Sequence, residues 1–138
     1  NQNSQIGMGS VGILKKEMTE EDFMNLVGKK LETNFLRHSS LLNRKIKKVA
    51  VLAGSGSFSI PKAKQIKADA LLTADLKYHD FFQAEKNILL IDGGHYETER
   101  FTKKLIHDYL IEKLPNFGIA LSKSLTNPVK YFSDGKKE

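Results

Sequence analysis

Between Lys47 and Leu114 a short apolar run ends three times in a small or acidic turn and gives way to residues at helical spacing. KKVAVLAG leads through GSGS to a helix over residues 60–67, with Pro61 in its first turn. The run 70–73 leads through Asp75 to a short helical stretch over 77–85, and the run 88–91 leads through Asp92-Gly93-Gly94 to a long helix over 96–114. Parallel strands need a crossover of this kind between them. The alternation therefore predicts an α/β fold: a three-layer, mostly parallel sheet flanked by helices, with right-handed crossovers.

The flanking segments extend this plan. Residues 6–14, IGMGSVGIL, mix glycines with apolar residues and read as a short strand after a close backbone turn. Thr19 has the character of an N-cap. The segment it opens carries acidic residues in its first turn, with Phe23, Leu26, Val27 and Leu31 on one face, so it reads as an amphipathic helix. A polar connector runs to Arg44, short strands near 119–122 and 129–132 are expected to close the sheet, and the tail over 133–138 reads as frayed. There is no repeat and no long linker, so residues 1–138 read as a single α/β domain.

With 40% hydrophobic residues the chain can bury one core, and no apolar run reaches the roughly 18 residues of a membrane span. Residues 1–5 lack the basic and apolar regions of a signal peptide. The absence of cysteine excludes disulfides and thiolate ligands, fits a reducing cytoplasm, and leaves His, Asp and Glu to hold any metal. The net charge of +6 raises the question of nucleic acid. However, the lysine pairs at 15–16, 29–30, 47–48, 103–104 and 136–137 fall in different elements, mostly beside acidic residues, which favours a solvated surface. The chain does not start with Met, so its start reads as a processed or cut end.

Ligand sites in open α/β sheets lie beyond the carboxyl ends of the strands. Three loops fall there: GSGS at 54–57, TADLKYH at 73–79 and DGGHYETE at 92–99. His95 and Glu99 are four apart at a helix start, so an imidazole and a carboxylate share a face and can reach one ion or two adjacent ones. Such a spacing also arises as an exposed pair, but its place after a strand and a double glycine brings the metal reading level. Asp75 and His79 repeat the spacing in reverse order and are candidates for proton transfer. Asp75 and Asp92 occupy equivalent strand ends, where each could bind metal, accept a proton or fix a histidine tautomer, and Asp75 could instead cap the next helix. GSGS fits neither a triphosphate loop nor G-x-G-x-x-G and reads as a tight turn ahead of an anion cradle. His38 falls in the polar connector and His107 reads as a surface or packing residue. A two-metal site needs several protein ligands per ion, and this sequence supplies one strong pair.

GSGSFSIPKA, ADALLTADLKYHDFFQAE and IDGGHYETE, in this order, resemble the C-terminal half of the dinuclear metal-centre family, described as NGG-interacting-factor-three-like or GTP cyclohydrolase 1 type 2-like. The likeness runs from GMGSVGIL to TNPVKYF at 126–132 and departs at Ala74, where the family has Gly in a Thr-Gly-Asp loop. The resemblance implies that Gly94, His95 and Glu99 are the Gly-His-x-x-x-Glu ligand motif. The remaining ligands, a His-rich segment and an Asp, belong to an N-terminal half outside this sequence. It also implies a site for two divalent ions (zinc, manganese or iron) when complete, and a toroidal homohexamer with its sites facing an inner cavity. Long members carry an inserted small domain, and this chain begins near where such an insert would end. The implied function is a metal-dependent hydrolase of a small-molecule substrate, inactive as this fragment. The alternative is a non-catalytic, ring-forming scaffold or regulatory protein with protein or nucleic-acid partners.

Overall fold

A computed structural model of the chain describes residues 7–132. The chain divides after Arg100 into two compact units.

The first unit contains β1 (Ser10–Thr19), α1 (Glu20–Leu31), β2 (Arg37–His38), β3 (Lys45–Ser55), α2 (Ile60–Gln65), β4 (Ala70–Ala74), β5 (Leu89–Asp92) and α3 (His95–Glu99). The five strands form one sheet in the order β1-β3-β4-β5-β2. The central strands β3, β4 and β5 run parallel, with Val49 opposite Ala70 and Ala70 opposite Leu89. The edge strands β1 and β2 are antiparallel to their neighbours.

Alternation along the central strands sends side chains to two cores. Ala50, Leu71 and Leu90 pack with Ile60 and Ala63 of α2 and with Leu76 and Ala84. Val49, Ala70, Leu72, Leu89 and Ile91 pack with Phe23 and Val27 of α1. Helices thus cover both faces, and the three-layer α/β architecture expected from the sequence is present. Each fully buried leucine or isoleucine contributes about 1.5–3 kcal/mol. Thr19 caps α1, its hydroxyl accepting the Asp22 N–H at 3.0 Å, and Glu32 ends that helix in the left-handed region at φ 52°.

Several elements differ from their sequence expectation. The strand placed at 6–14 runs from Ser10 to Thr19, because pairing of Met18 with Ile46 prolongs it where its own residues stay mostly exposed. Ile6 lies outside the described residues. The polar connector contains β2, which Arg37 and His38 form by pairing with Asp92 and Ile91. The helical stretch after β4 is a 3₁₀ segment, Tyr78–Ala84.

The long helix expected over 96–114 is two helices, α3 and α4 (Thr102–Lys113). Arg100 and Phe101 keep right-handed dihedrals, but their ψ values of −23° and −13° drift from the α-helical range and separate the two helices. In the second unit no strand forms near 119–122 or 129–132, since the described residues there provide no neighbouring strand to pair with. The tail over 133–138 lies outside the described residues. No helix among the described residues is long and apolar enough to cross a membrane.

Candidate metal centre

The parallel strands end side by side, Ser55 opposite Ala74 and Thr73 opposite Asp92. The three loops singled out in the sequence therefore meet along one edge of the sheet. Asp75 leaves β4 at φ 56°, a left-handed conformation that aspartate tolerates better than most residues. His95 is the first residue of α3, set there by Gly94 at φ 85°.

The His95 imidazole sits between two carboxylates. Its Nδ1 lies 2.6 Å from Asp75 Oδ2, and its Nε2 lies 3.3 Å from Glu99 Oε2 one helical turn along. All three side chains are about half exposed. The hydrogen bond to Asp75 raises the imidazole pKa above its ordinary value; the charges of Asp75 and Glu99 add to this, and desolvation opposes it without prevailing.

Gly54 closes the site from β3. Its N–H donates to Thr98 Oγ1 at 3.0 Å, and its carbonyl accepts from the Thr73 hydroxyl at 3.1 Å. A Cβ at Gly54 would overlap the Glu99 carboxylate and stand 3.4 Å from His95 Nε2. The glycine is thus what lets β3 approach the pair, and its φ of 67° adds a second reason for its identity. Thr98 Oγ1 also lies 2.9 Å from the Gly94 carbonyl, tying the start of α3 to β3.

The other sequence candidates have different surroundings. Asp92 is buried: Oδ2 accepts the Leu76 N–H at 3.0 Å and pairs with Arg37, while Oδ1 accepts the Gly94 N–H at 3.0 Å. It joins the loops after β4 and β5. Asp75 does not cap the following 3₁₀ segment; Asp80 accepts the Lys77 N–H there at 2.8 Å, leaving Asp75 to His95. His79 is exposed, its ring edge-on to Tyr78 at 5.1 Å and stacked near Phe82 at 6.2 Å. His38 Nδ1 meets the Ser39 carbonyl at 2.8 Å, and His107 lies beside Asp108 in α4. Gly54, Thr98 and Arg37 were not assigned roles from sequence, and only the repeated glycines of GSGS signalled any of them.

The donor set fits a divalent ion in part. Two ligands at about 2.1 Å from a tetrahedral ion stand about 3.4 Å apart, and His95 Nε2 and Glu99 Oε2 are 3.3 Å apart. Asp75 engages the opposite ring nitrogen, as carboxylates do behind metal-bound histidines. Among the described residues no group of three or more His, Asp or Glu gathers to hold one ion. These residues can therefore offer an ion two donors, whereas a closed site takes about four.

The fold and these side chains define an α/β protein with a two-donor candidate metal site at the carboxyl edge of its parallel strands. Residues 2–128 match the Duf34/NIF3 (NGG1p interacting factor 3) family, and the chain belongs to it. A GTP cyclohydrolase 1 type 2 homolog of Staphylococcus epidermidis is 34% identical over 135 residues, covering 95% of this chain and 37% of that relative. One from Bacillus subtilis (strain 168) is 36% identical over 130 residues, covering 91% and 35%. Among solved structures, Staphylococcus aureus protein SA1388 superposes with a TM-score of 0.78 at 31% identity, covering 91% of this chain and 42% of that one. A Bacillus cereus protein related to NIF3 gives 0.75 at 31%, covering 91% and 36%. The chain thus spans well under half the length of these relatives.

Proposed function

We propose that this chain is the C-terminal part of a metal-dependent hydrolase, that it contributes His95 and Glu99 to a dinuclear site, and that it is inactive alone. The observation that carries the reading is the 3.3 Å approach of His95 Nε2 to Glu99 Oε2, with the opposite ring nitrogen on Asp75. Bound there, divalent ions (zinc, manganese or iron) supply Lewis acidity toward a carbonyl or phosphoryl oxygen. His95 presents Nε2, Asp75 keeps the proton on Nδ1 and fixes the ring plane, and Glu99 supplies negative charge. Asp75 is thereby a positioning residue, and His79, exposed beyond the same strand, is the candidate for proton transfer. The remaining ligands come from an N-terminal half, in a cytoplasmic toroidal hexamer.

The relatives' description as GTP cyclohydrolase 1 type 2 homologs makes GTP the first substrate to try. The test uses the full-length protein loaded with zinc or manganese, assayed on GTP, a phosphate ester and a cyclic amide. The reading expects metal-dependent turnover of at least one, reduced about a hundredfold or more by His95→Ala. No metal-dependent turnover of any, or turnover retained in the variant, contradicts it.

A further inference from the structure

The opposite end of the sheet carries a second pocket, lined by different side chains. Arg44 and Asp69 directly precede β3 and β4, and Asn87 stands two residues before β5, so they lie at the amino ends of the parallel strands, across the sheet from His95. With Lys64, Lys67 and Ala68 they line a pocket of about 380 Å³. That volume falls in the small-molecule range and exceeds what a single phosphate group fills.

Its walls are set by the fold. Arg44 donates through Nη2 to the Asn87 carbonyl. Lys64 Nζ donates to the Gln83 carbonyl at 3.0 Å and pairs with Glu85 at 2.6 Å. Lys67 is exposed on a turn at φ 55°. The acidic member of the lining is Asp69, whose Oδ2 accepts the backbone N–H groups of Lys47 at 2.9 Å and Lys48 at 2.7 Å, so amide dipoles offset its charge. Lys48 itself reaches the Ile66 carbonyl at 2.5 Å, adding a cation beside the pocket. Arg44, Lys67 and a Lys64 that shares its charge with Glu85 thus surround one partly neutralised carboxylate, and the exposed Asn87 amide adds a neutral donor.

We propose that this pocket binds a small diphosphate or triphosphate anion. Arg44 and Lys67, with Lys64 shared between Glu85 and the concavity and Lys48 beside it, suit an anion with several charges, and the guanidinium of Arg44 suits paired phosphoryl oxygens. No aromatic side chain lines the pocket, so the phosphates and not an attached base are recognised. The proposal uses no residue of the candidate metal centre and stands independently of it.

The test is an amide NMR titration of the metal-free chain with inorganic pyrophosphate at physiological salt, repeated with a nucleoside diphosphate. Saturable shifts are expected at Lys64, Lys67, Ala68, Asp69 and Asn87. The double variant Arg44→Gln, Lys67→Gln is expected to bind at least about tenfold more weakly, with the amide spectrum elsewhere unchanged. The control Lys16→Gln, Lys30→Gln removes the same charge outside the pocket and is expected to bind as the parent does. Equal or weaker nucleotide binding is expected, since the phosphates carry the recognition, and clearly tighter nucleotide binding overturns the statement that the base is not recognised. Absent shifts, shifts scattered over the lysine-bearing surface, or equal losses in variant and control overturn the proposal.

Discussion

Asp75 and His95 are twenty residues apart in sequence, yet Asp75 Oδ2 lies 2.6 Å from His95 Nδ1. This contact joins the loop after β4 to the first turn of α3 and fixes which ring nitrogen faces Glu99. Because the carboxylate favours the charged imidazole, the metal-free protein should titrate His95 above the ordinary value of 6.5. The folded value is the raised one, so the contact's contribution to stability is complete below about pH 6.5 and fades as pH rises through the folded pKa. An imidazole NMR titration should show the raised midpoint, and Asp75→Asn should bring it back toward the ordinary value. An unchanged midpoint in the variant contradicts this assignment.

Gly54→Ala should damage both stability and the site. The new Cβ would overlap the Glu99 carboxylate, and alanine is strained at φ 67°. The expected cost exceeds about 1 kcal/mol in urea denaturation, with the Glu99 resonances displaced in the same variant. A variant of parent stability with an unmoved Glu99 would show that β3 does not approach the pair as described.

Asp92→Ala should be among the most destabilising polar changes. It strands the Leu76 and Gly94 N–H groups and leaves Arg37 without its buried partner. The expected loss is about 2–5 kcal/mol by denaturant unfolding, and Asp92→Asn should lose less because it keeps an acceptor. Equal stability of the parent and both variants contradicts a structural role.

The parallel core was legible because Val49, Ala70, Leu72, Leu89 and Ile91 fall in short apolar runs punctuated by glycine and aspartate. The edges were not. β2 is two residues long and polar, and Arg37 and His38 become a strand only by pairing with β5. The break between α3 and α4 carries no proline or glycine to announce it. At the candidate site, the helical spacing of His95 and Glu99 was visible, and fixing a histidine tautomer was one of several roles open to Asp75. Which role applied depends on how far apart β4 and β5 place their loops, and spacing along a sequence does not report that. The approach of Gly54 is set by a neighbouring strand, so it too needed the fold. Asp92 had been read at a strand end equivalent to that of Asp75, whereas the fold sets it opposite Thr73, and its partner Arg37 lay in a segment read as a connector.

In the proposed function this chain carries half of a metal site, centred on His95 and Glu99. The most direct measurement is a zinc titration of the isotope-labelled chain followed at the histidine imidazoles, in parallel with Glu99→Gln. Weak binding is expected, with shifts centred on His95 and Glu99 that are lost in the variant. Tight binding of two ions, shifts centred on other residues, or no response at excess zinc would contradict it.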